Sequence, residues 1–264
     1  MIKKNLWIKV KAMKHPNDYI AVFDSGVGGI SVLRQLMRIM PRENYLYFGD
    51  CANAPYGSRS TEEVRQLTLA AAENLIENYP VKALVVACNT ATAAAINDLR
   101  KKYEDLIVIG IEPALKLAAD RFPGGHIGVM ATEVTLREGK FDTLLHRFPG
   151  CNIEKIPAPG LVQLIEAGKG DSEETEILLR QILGHFAGKL DALVLGCTHY
   201  PFAASAIGRI LGDQCVLLDG GDGTARETQR RLAAEDLLNQ AEGSLLIRSS
   251  GSDEDLQQLA AQYL

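Results

Sequence analysis

The chain has 264 residues, 47% of them hydrophobic, enough to bury one large core or two smaller ones. Lys and Arg number 28 against 33 Asp and Glu, a formal charge of −5, which weighs against a nucleic-acid footprint. The cysteine count of 5 is odd and no C-x-x-C occurs, which argues against a disulfide framework and a four-ligand zinc site and suits a reducing compartment.

Residues 1–18, MIKKNLWIKVKAMKHPND, are lysine-rich and lack the apolar stretch of a signal peptide, so they read as an N-terminal extension. No later run is long and apolar enough to span a bilayer. From Tyr19 onward, short branched-apolar runs alternate with segments of helical spacing. The strand YIAVFD precedes a helix over 31–40, and NYLYFGD precedes the loop CANAPYGS. Ser60 and Glu63 then form a capping box that opens a helix over 61–78. ALVVAC leads into a helix over 90–103, and the strands LIVIGI and HIGVMA follow, with a helix over 136–148 after them. LVQLIEAG reads as apolar helix, and another helix covers 172–189. The strands ALVLGC and QCVLLD come next, then a helix over 227–240, the strand SLLIRSS and a helix over 253–264. Strands apolar at every position, separated by helices, dictate parallel sheets covered on both faces, an α/β fold.

Such sheets offer ligands the carboxyl ends of their strands. Asp24, the loop at 49–58 and two cysteines fall there. The cysteines share a phrase: ALVVAC ends in Cys88 and ALVLGC in Cys197, each followed by a short polar residue. A repeated phrase implies two similar lobes, each presenting a thiol from the same topological position toward a common cleft. A free cysteine by default packs as a small hydrophobe, the reading that fits Cys215. Cys88 and Cys197 differ, because each stands at an expected helix entry, where backbone N–H groups favour a thiolate. A matched pair of thiols suits symmetric chemistry, in which one removes a proton from one face of a carbon while the other delivers a proton to the opposite face.

Asp24 opens DSGVGGIS, which lacks both the G-K-[ST] of a phosphate loop and the third glycine of a dinucleotide fingerprint, so no nucleotide cofactor is supported. Asp24 and Ser25 cap the next helix on one reading; on the other, Asp24 assists a thiol or holds an ammonium group with Ser25 as partner. His199, beside Cys197, is a candidate for proton handling. Glu166, taken alone, reads as the solvated face of its helix.

With FDSGVGG, Pro55-Tyr56-Gly57, ACNTAT, GVMAT, LVQLIEAG and GCTHYP in this order, the chain resembles glutamate racemases of the aspartate/glutamate racemase superfamily, from about Tyr19 to its C-terminus. Relatives acting on aspartate tend to carry CNTAH and GCTE; Thr92 and His199 stand there instead and favour glutamate. The resemblance implies two-base racemisation without pyridoxal phosphate or metal. Cys88, supported by Asp24, and Cys197, supported by His199 and Glu166, would flank the α-carbon. Ser25, Asn89, Thr90 and Thr198 would bind the amino-acid head group, the Tyr56-Gly57 backbone the distal carboxylate, with Pro55 and Thr132 also lining the site. It further implies a bacterial cytoplasmic homodimer that makes D-glutamate for peptidoglycan, with no nucleic-acid or membrane partner. The expected lobes are 19–111 with 219–264, carrying Cys88, and 112–218, carrying Cys197. Three stretches depart from the family pattern: GVMAT, Pro157-Ala158-Pro159-Gly160, and Gly220 where serine is usual. A same-fold decarboxylase needs one thiol rather than two. A non-catalytic amino-acid binder would not require Cys88, Cys197, Asp24 and His199 together, and a metal-dependent hydrolase has no ligand cluster behind it.

Overall fold

The structure, a computed structural model, describes residues 14–137, 148 and 150–264. Two wholly parallel sheets form the frame. The first has the order β4-β3-β1-β2-β9, from β1 (Tyr19–Asp24), β2 (Asn44–Gly49), β3 (Val81–Val86), β4 (Ile107–Gly110) and β9 (Ser244–Ser249). The second has the order β6-β5-β7-β8, from β5 (His126–Ala131), β6 (Asn152–Pro157), β7 (Ala192–Leu195) and β8 (Val216–Asp219).

Successive residues of a strand point to opposite faces, so a strand apolar throughout feeds two cores. Ile20, Val22, Tyr45, Tyr47, Val85 and Ile109 enter one core, under α1 (Ile30–Ile39), α9 (Gly221–Ala234) and α10 (Asp253–Ala260). Their neighbours Ala21, Phe23, Leu46, Phe48, Leu84, Val86 and Val108 enter the other, under α2 (Thr61–Asn78) and α3 (Asn89–Lys102). The second sheet repeats the scheme. Met130, Leu193 and Leu195 pack under α6 (Leu161–Glu166), α7 (Glu173–Leu183) and α8 (Ala204–Leu211), while Ile127, Val129 and Val194 pack under α4 (Leu115–Arg121) and α5 (Glu133–Arg137).

Local chemistry sets the helix ends. Both halves of the Ser60–Glu63 capping box form at the start of α2. Ser172 caps α7 by accepting from Thr175 N, with Glu173, Glu174 and Glu176 in the first turn, where the helix dipole favours negative charge.

The differences from the sequence reading have identifiable causes. β6 is missing from the expected strands, because NIEKIP is an edge strand with only one buried residue and no uniform apolar run. α4 and α8 are short, of 7 and 8 residues, and too brief for a periodic signal. α9 begins six residues before the expected 227, inside Gly221-Asp222-Gly223, because Asp219 Oδ1 accepts from Gly221 N at 2.7 Å and turns the chain. It stops at Ala234, just before Asp236, which takes a left-handed φ of 54°. Most of the helix expected over 136–148, and residues 1–13 of the expected extension, lie outside the described residues.

The chain passes between the sheets twice, after β4 and after β8. The two crossings touch at Gly220, where a Cβ would run into the Glu112 carbonyl oxygen and sit 2.8 Å from Ile111 Cγ1. A side chain there would require the two crossings to shift apart, and glycine lets them touch. Among the described residues, no helix is long and apolar enough to cross a membrane.

Candidate active site

β3 and β7 are interior strands of their respective sheets, and each carries its cysteine two residues beyond its carboxyl end. Cys88 occupies the N-cap of α3, its sulfur accepting from Ala91 N at 3.4 Å and donating to Ser25 Oγ at 3.8 Å. Cys197 does not precede an α-helix as expected; a 3-10 turn, Tyr200–Ala203, follows it and runs into α8. Both thiols are buried. Burial, and then the Asp24 carboxylate, push the Cys88 thiol up to about 12, so it is protonated at neutral pH.

The β1–α1 turn, Ser25–Gly29, projects from the first sheet onto the second. Asp24 and Ser25 do not cap α1, whose N-cap is Gly29 with no side-chain bond. Asp24 Oδ1 instead accepts from Gly26 N, and Oδ2 from the Thr198 hydroxyl, both at 3.0 Å. Burial raises the Asp24 pKa, while the charge of His199 resists. Val27 N donates to Glu166 Oε1 at 3.0 Å, and the Ser31 hydroxyl lies 2.8 Å from the Thr198 carbonyl oxygen. Buried Tyr47 steadies the turn by donating to Gly26 O at 2.7 Å.

Glu166 is therefore not a solvated face. Its Oε1 lies 2.6 Å from His199 Nε2, and His199 Nδ1 lies 3.6 Å from the Cys197 sulfur. Burial alone would lower the His199 pKa, but hydrogen bonds to Cys197 and Glu166 raise it well above the ordinary value. Burial pushes Glu166 up, yet its bond to His199 wins and holds it low. The pair is an imidazolium on a carboxylate, with Nδ1–H left to donate to sulfur.

Opposite these groups stand three threonine hydroxyls. Thr90, at the start of α3, lies 3.1 Å from Thr132, and Thr132 lies 3.0 Å from Thr135. The sequence reading does not single out Thr135; its spacing of three from Thr132, ahead of a helix, is the available signal. Gly57 abuts Thr132, since a Cβ there would sit 2.8 Å from its methyl carbon. The Tyr56 ring turns away from the cleft into the core, its hydroxyl donating to Asp50 at 2.5 Å. Pro55 precedes it on the same loop. Asn89 Oδ1 is buried with no hydrogen-bond partner among the described residues, an acceptor suited to an ammonium or amide donor. The structure thus brings Asp24, Ser25, Cys88, Asn89, Thr90, Glu166, Cys197, Thr198 and His199 to the facing strand ends of two sheets. Cys51, Cys151 and Cys215 are half-buried and take no part in these contacts. Among the described residues, no group of three or more His, Cys, Asp or Glu could hold a metal ion.

A protein-family profile described as Asp/Glu/Hydantoin racemase matches residues 26–228. A curated glutamate racemase from Clostridium botulinum is 44% identical over 256 residues, covering 96% of this chain and 99% of that protein. The crystal structure of glutamate racemase from Thermus thermophilus in complex with β-chloro-D-alanine superposes with a TM-score of 0.82 at 38% identity, covering 95% of this chain and 94% of that one. Escherichia coli glutamate racemase, in complex with L-glutamate and the activator UDP-MurNAc-Ala, gives a TM-score of 0.82 at 31% identity, covering 94% of this chain and 96% of that one.

Proposed function

The chain belongs to the Asp/Glu/hydantoin racemase family, and from that premise we propose that it interconverts L- and D-glutamate with two thiols on opposite faces of the α-carbon. The observation that carries this reading is the pairing of Cys88 and Cys197 at matching strand ends, both buried, with the Asp24–Ser25 segment bonded to Cys88 through Ser25 and to the residue after Cys197 through Asp24. Relatives solved with L-glutamate and with D-glutamate support the choice of substrate.

The α-proton of an amino acid is far less acidic than any thiol, so the site must stabilise a carbanion-like state. Preorganised donors in a cleft that excludes water do this. Ser25, Asn89, Thr90 and Thr198 would hold the head group; the Tyr56-Gly57 backbone would take the distal carboxylate, with Pro55 and Thr132 as walls. The imidazolium of His199, fixed by Glu166, supplies Cys197 with a charged donor and so a means of holding negative charge on its sulfur. Cys88 begins as the acid. To act as base toward the other enantiomer it must lose its proton, and a substrate ammonium beside Asp24 offsets the charge that resists this loss. No step calls for pyridoxal phosphate or a metal.

Closure of one lobe, 19–111 with 219–264, on the other, 112–218, would assemble both thiols. We assign the protein to a bacterial cytoplasm as a homodimer supplying D-glutamate for peptidoglycan, without nucleic-acid or membrane partners. The test is incubation of reduced protein with L-glutamate in deuterium oxide, followed by proton NMR and optical rotation. Loss of rotation together with deuterium at the α-carbon is expected; a folded, reduced protein that neither racemises nor exchanges would overturn the reading.

A further inference from the structure

Ser31 lies in the first turn of α1 and is buried, 7% exposed. Its hydroxyl oxygen stands 2.8 Å from Gly28 O, in its own turn, and 2.8 Å from Thr198 O, on the other sheet. The first contact is ordinary, since a serine on a helix commonly donates back to the carbonyl three residues earlier. The second is not, because it reaches 167 residues along the chain to the residue between Cys197 and His199. That residue is gripped at two of its polar groups: Thr198 Oγ1 donates to Asp24, and Thr198 O accepts from Ser31.

We propose that Ser31 is a positioning residue, a latch that holds the Cys197–His199 turn in register with the first lobe and can release it without stranding its own proton. A hydroxyl has one hydrogen and here two acceptors at equal distance. With the lobes together, the hydrogen serves Thr198 O and fixes the peptide next to the Cys197 sulfur. With the lobes apart, it turns to Gly28 O, so opening leaves no buried donor unpaired. The latch thus favours closure while keeping reopening for product release inexpensive. Ser31 touches no reacting atom, and its effect on the chemistry passes through Thr198.

This inference rests on Cys197 acting as one of the two racemising thiols. The test compares wild type with Ser31→Ala and Ser31→Thr, measuring kcat and KM for L- and D-glutamate with α-protium and α-deuterium substrates. Enantiomers are equal in energy, so kcat/KM must match in the two directions, and a displaced Cys197 reveals itself in the isotope effects. In Ser31→Ala, kcat falls by up to about a hundredfold, the loss that a misplacement of about 1 Å brings to a catalytic group. The deuterium effect on kcat/KM rises from the enantiomer whose proton Cys197 removes and does not rise from the other. Ser31→Thr, which keeps the hydroxyl, restores both values. A Ser31→Ala enzyme with unchanged kcat, or with slower turnover and an unaltered ratio of the two isotope effects, overturns the proposal. Ser31→Cys, nearly isosteric and a weaker donor, carries the same test if the alanine variant does not fold. Wild type that fails to racemise glutamate sinks the parent reading; active wild type with an unaffected Ser31→Ala sinks the latch alone.

Discussion

Glu166 shows how far a single residue's meaning depends on what faces it. In the sequence it is one carboxylate on a short helix; in the fold it takes Val27 N–H and the His199 imidazole from two directions. Its pKa is held down and that of His199 is held up, so both partners contribute stability, each over its own pH range. A histidine with a raised folded pKa contributes fully below its unfolded value, about 6.5, and loses that contribution as pH climbs through the folded value. A glutamate with a depressed folded pKa contributes fully above its unfolded value, about 4.3, and loses it as pH falls through the folded value. Both contributions are complete between those limits. Glu166→Gln should therefore melt below wild type by the largest margin near pH 5 to 6, by about 1.5–3 kcal/mol, the worth of a hydrogen bond to a charged group. The gap should narrow at alkaline pH as His199 titrates. Thermal melts of both proteins across pH 5 to 10 check this; a gap of constant size would mean that the ionised pair does not exist.

At the scale of elements, the Ser25–Gly29 turn is the surface on which the second sheet's catalytic candidates rest. Its glycines are a matter of clearance. A Cβ on Gly28 would lie 2.6 Å from His199 Cε1 and 2.6 Å from Thr198 Oγ1, closer than side-chain carbons approach. Gly28→Ala should fold, because the atoms its Cβ would meet are the His199 and Thr198 side chains rather than apolar core groups, but it must push the His199 turn away. Misplacement of about 1 Å costs on the order of a hundredfold in rate, so kcat/KM for glutamate should drop by about that factor while the melting temperature stays within a few degrees. Near-normal activity would show that the turn is not packed as tightly as described. These glycines also mark the limit of what the sequence discloses. The apolar strands, their parallel pairing and the two thiol positions were legible because burial on both faces leaves an unbroken apolar run that ends where the polar site begins. Asp24, Cys88, Cys197 and His199 stood out for the same reason. Glu166 entered only through the resemblance, and Thr135 and Ser31 not at all, because what recruits them is the approach of a second sheet, and one strand's local pattern carries no trace of that. The edge strand β6 was hidden by its exposure, and α9 by glycines that a side-chain bond from Asp219 makes tolerable in a helix start.

Viewed as a whole, the molecule keeps its chemistry and much of its polar anchoring at opposite ends of the first sheet. The candidate acid–base groups gather at carboxyl ends of strands. At the amino end of β3, Lys82 is completely buried, with its ammonium 2.6 Å from Glu43 Oε2 and 2.9 Å from Leu237 O. The third donor goes to Pro16 O. Glu43, 2% exposed, accepts in turn from Asn239 N at 2.9 Å. One ion pair thus ties together β3, the approach to β2, the segment before β1 and the connection between α9 and β9. Each charge is acceptable there only because the other is present. Removing one partner of a buried pair leaves the other unpaired and costs about 3–5 kcal/mol, whereas replacing both by apolar groups is often neutral. Lys82→Met should therefore lower the melting temperature by roughly 10 °C, at the few degrees per kcal/mol expected for a chain of this size. Lys82→Met combined with Glu43→Leu should recover most of that loss. Because the pair lies at the far end of the strands from Cys88, the KM for glutamate should be unchanged in whatever fraction of either variant is folded. Melting curves and initial rates on the three proteins test this together. A double variant no more stable than the single one would show that Lys82 and Glu43 act through their backbone partners rather than through each other.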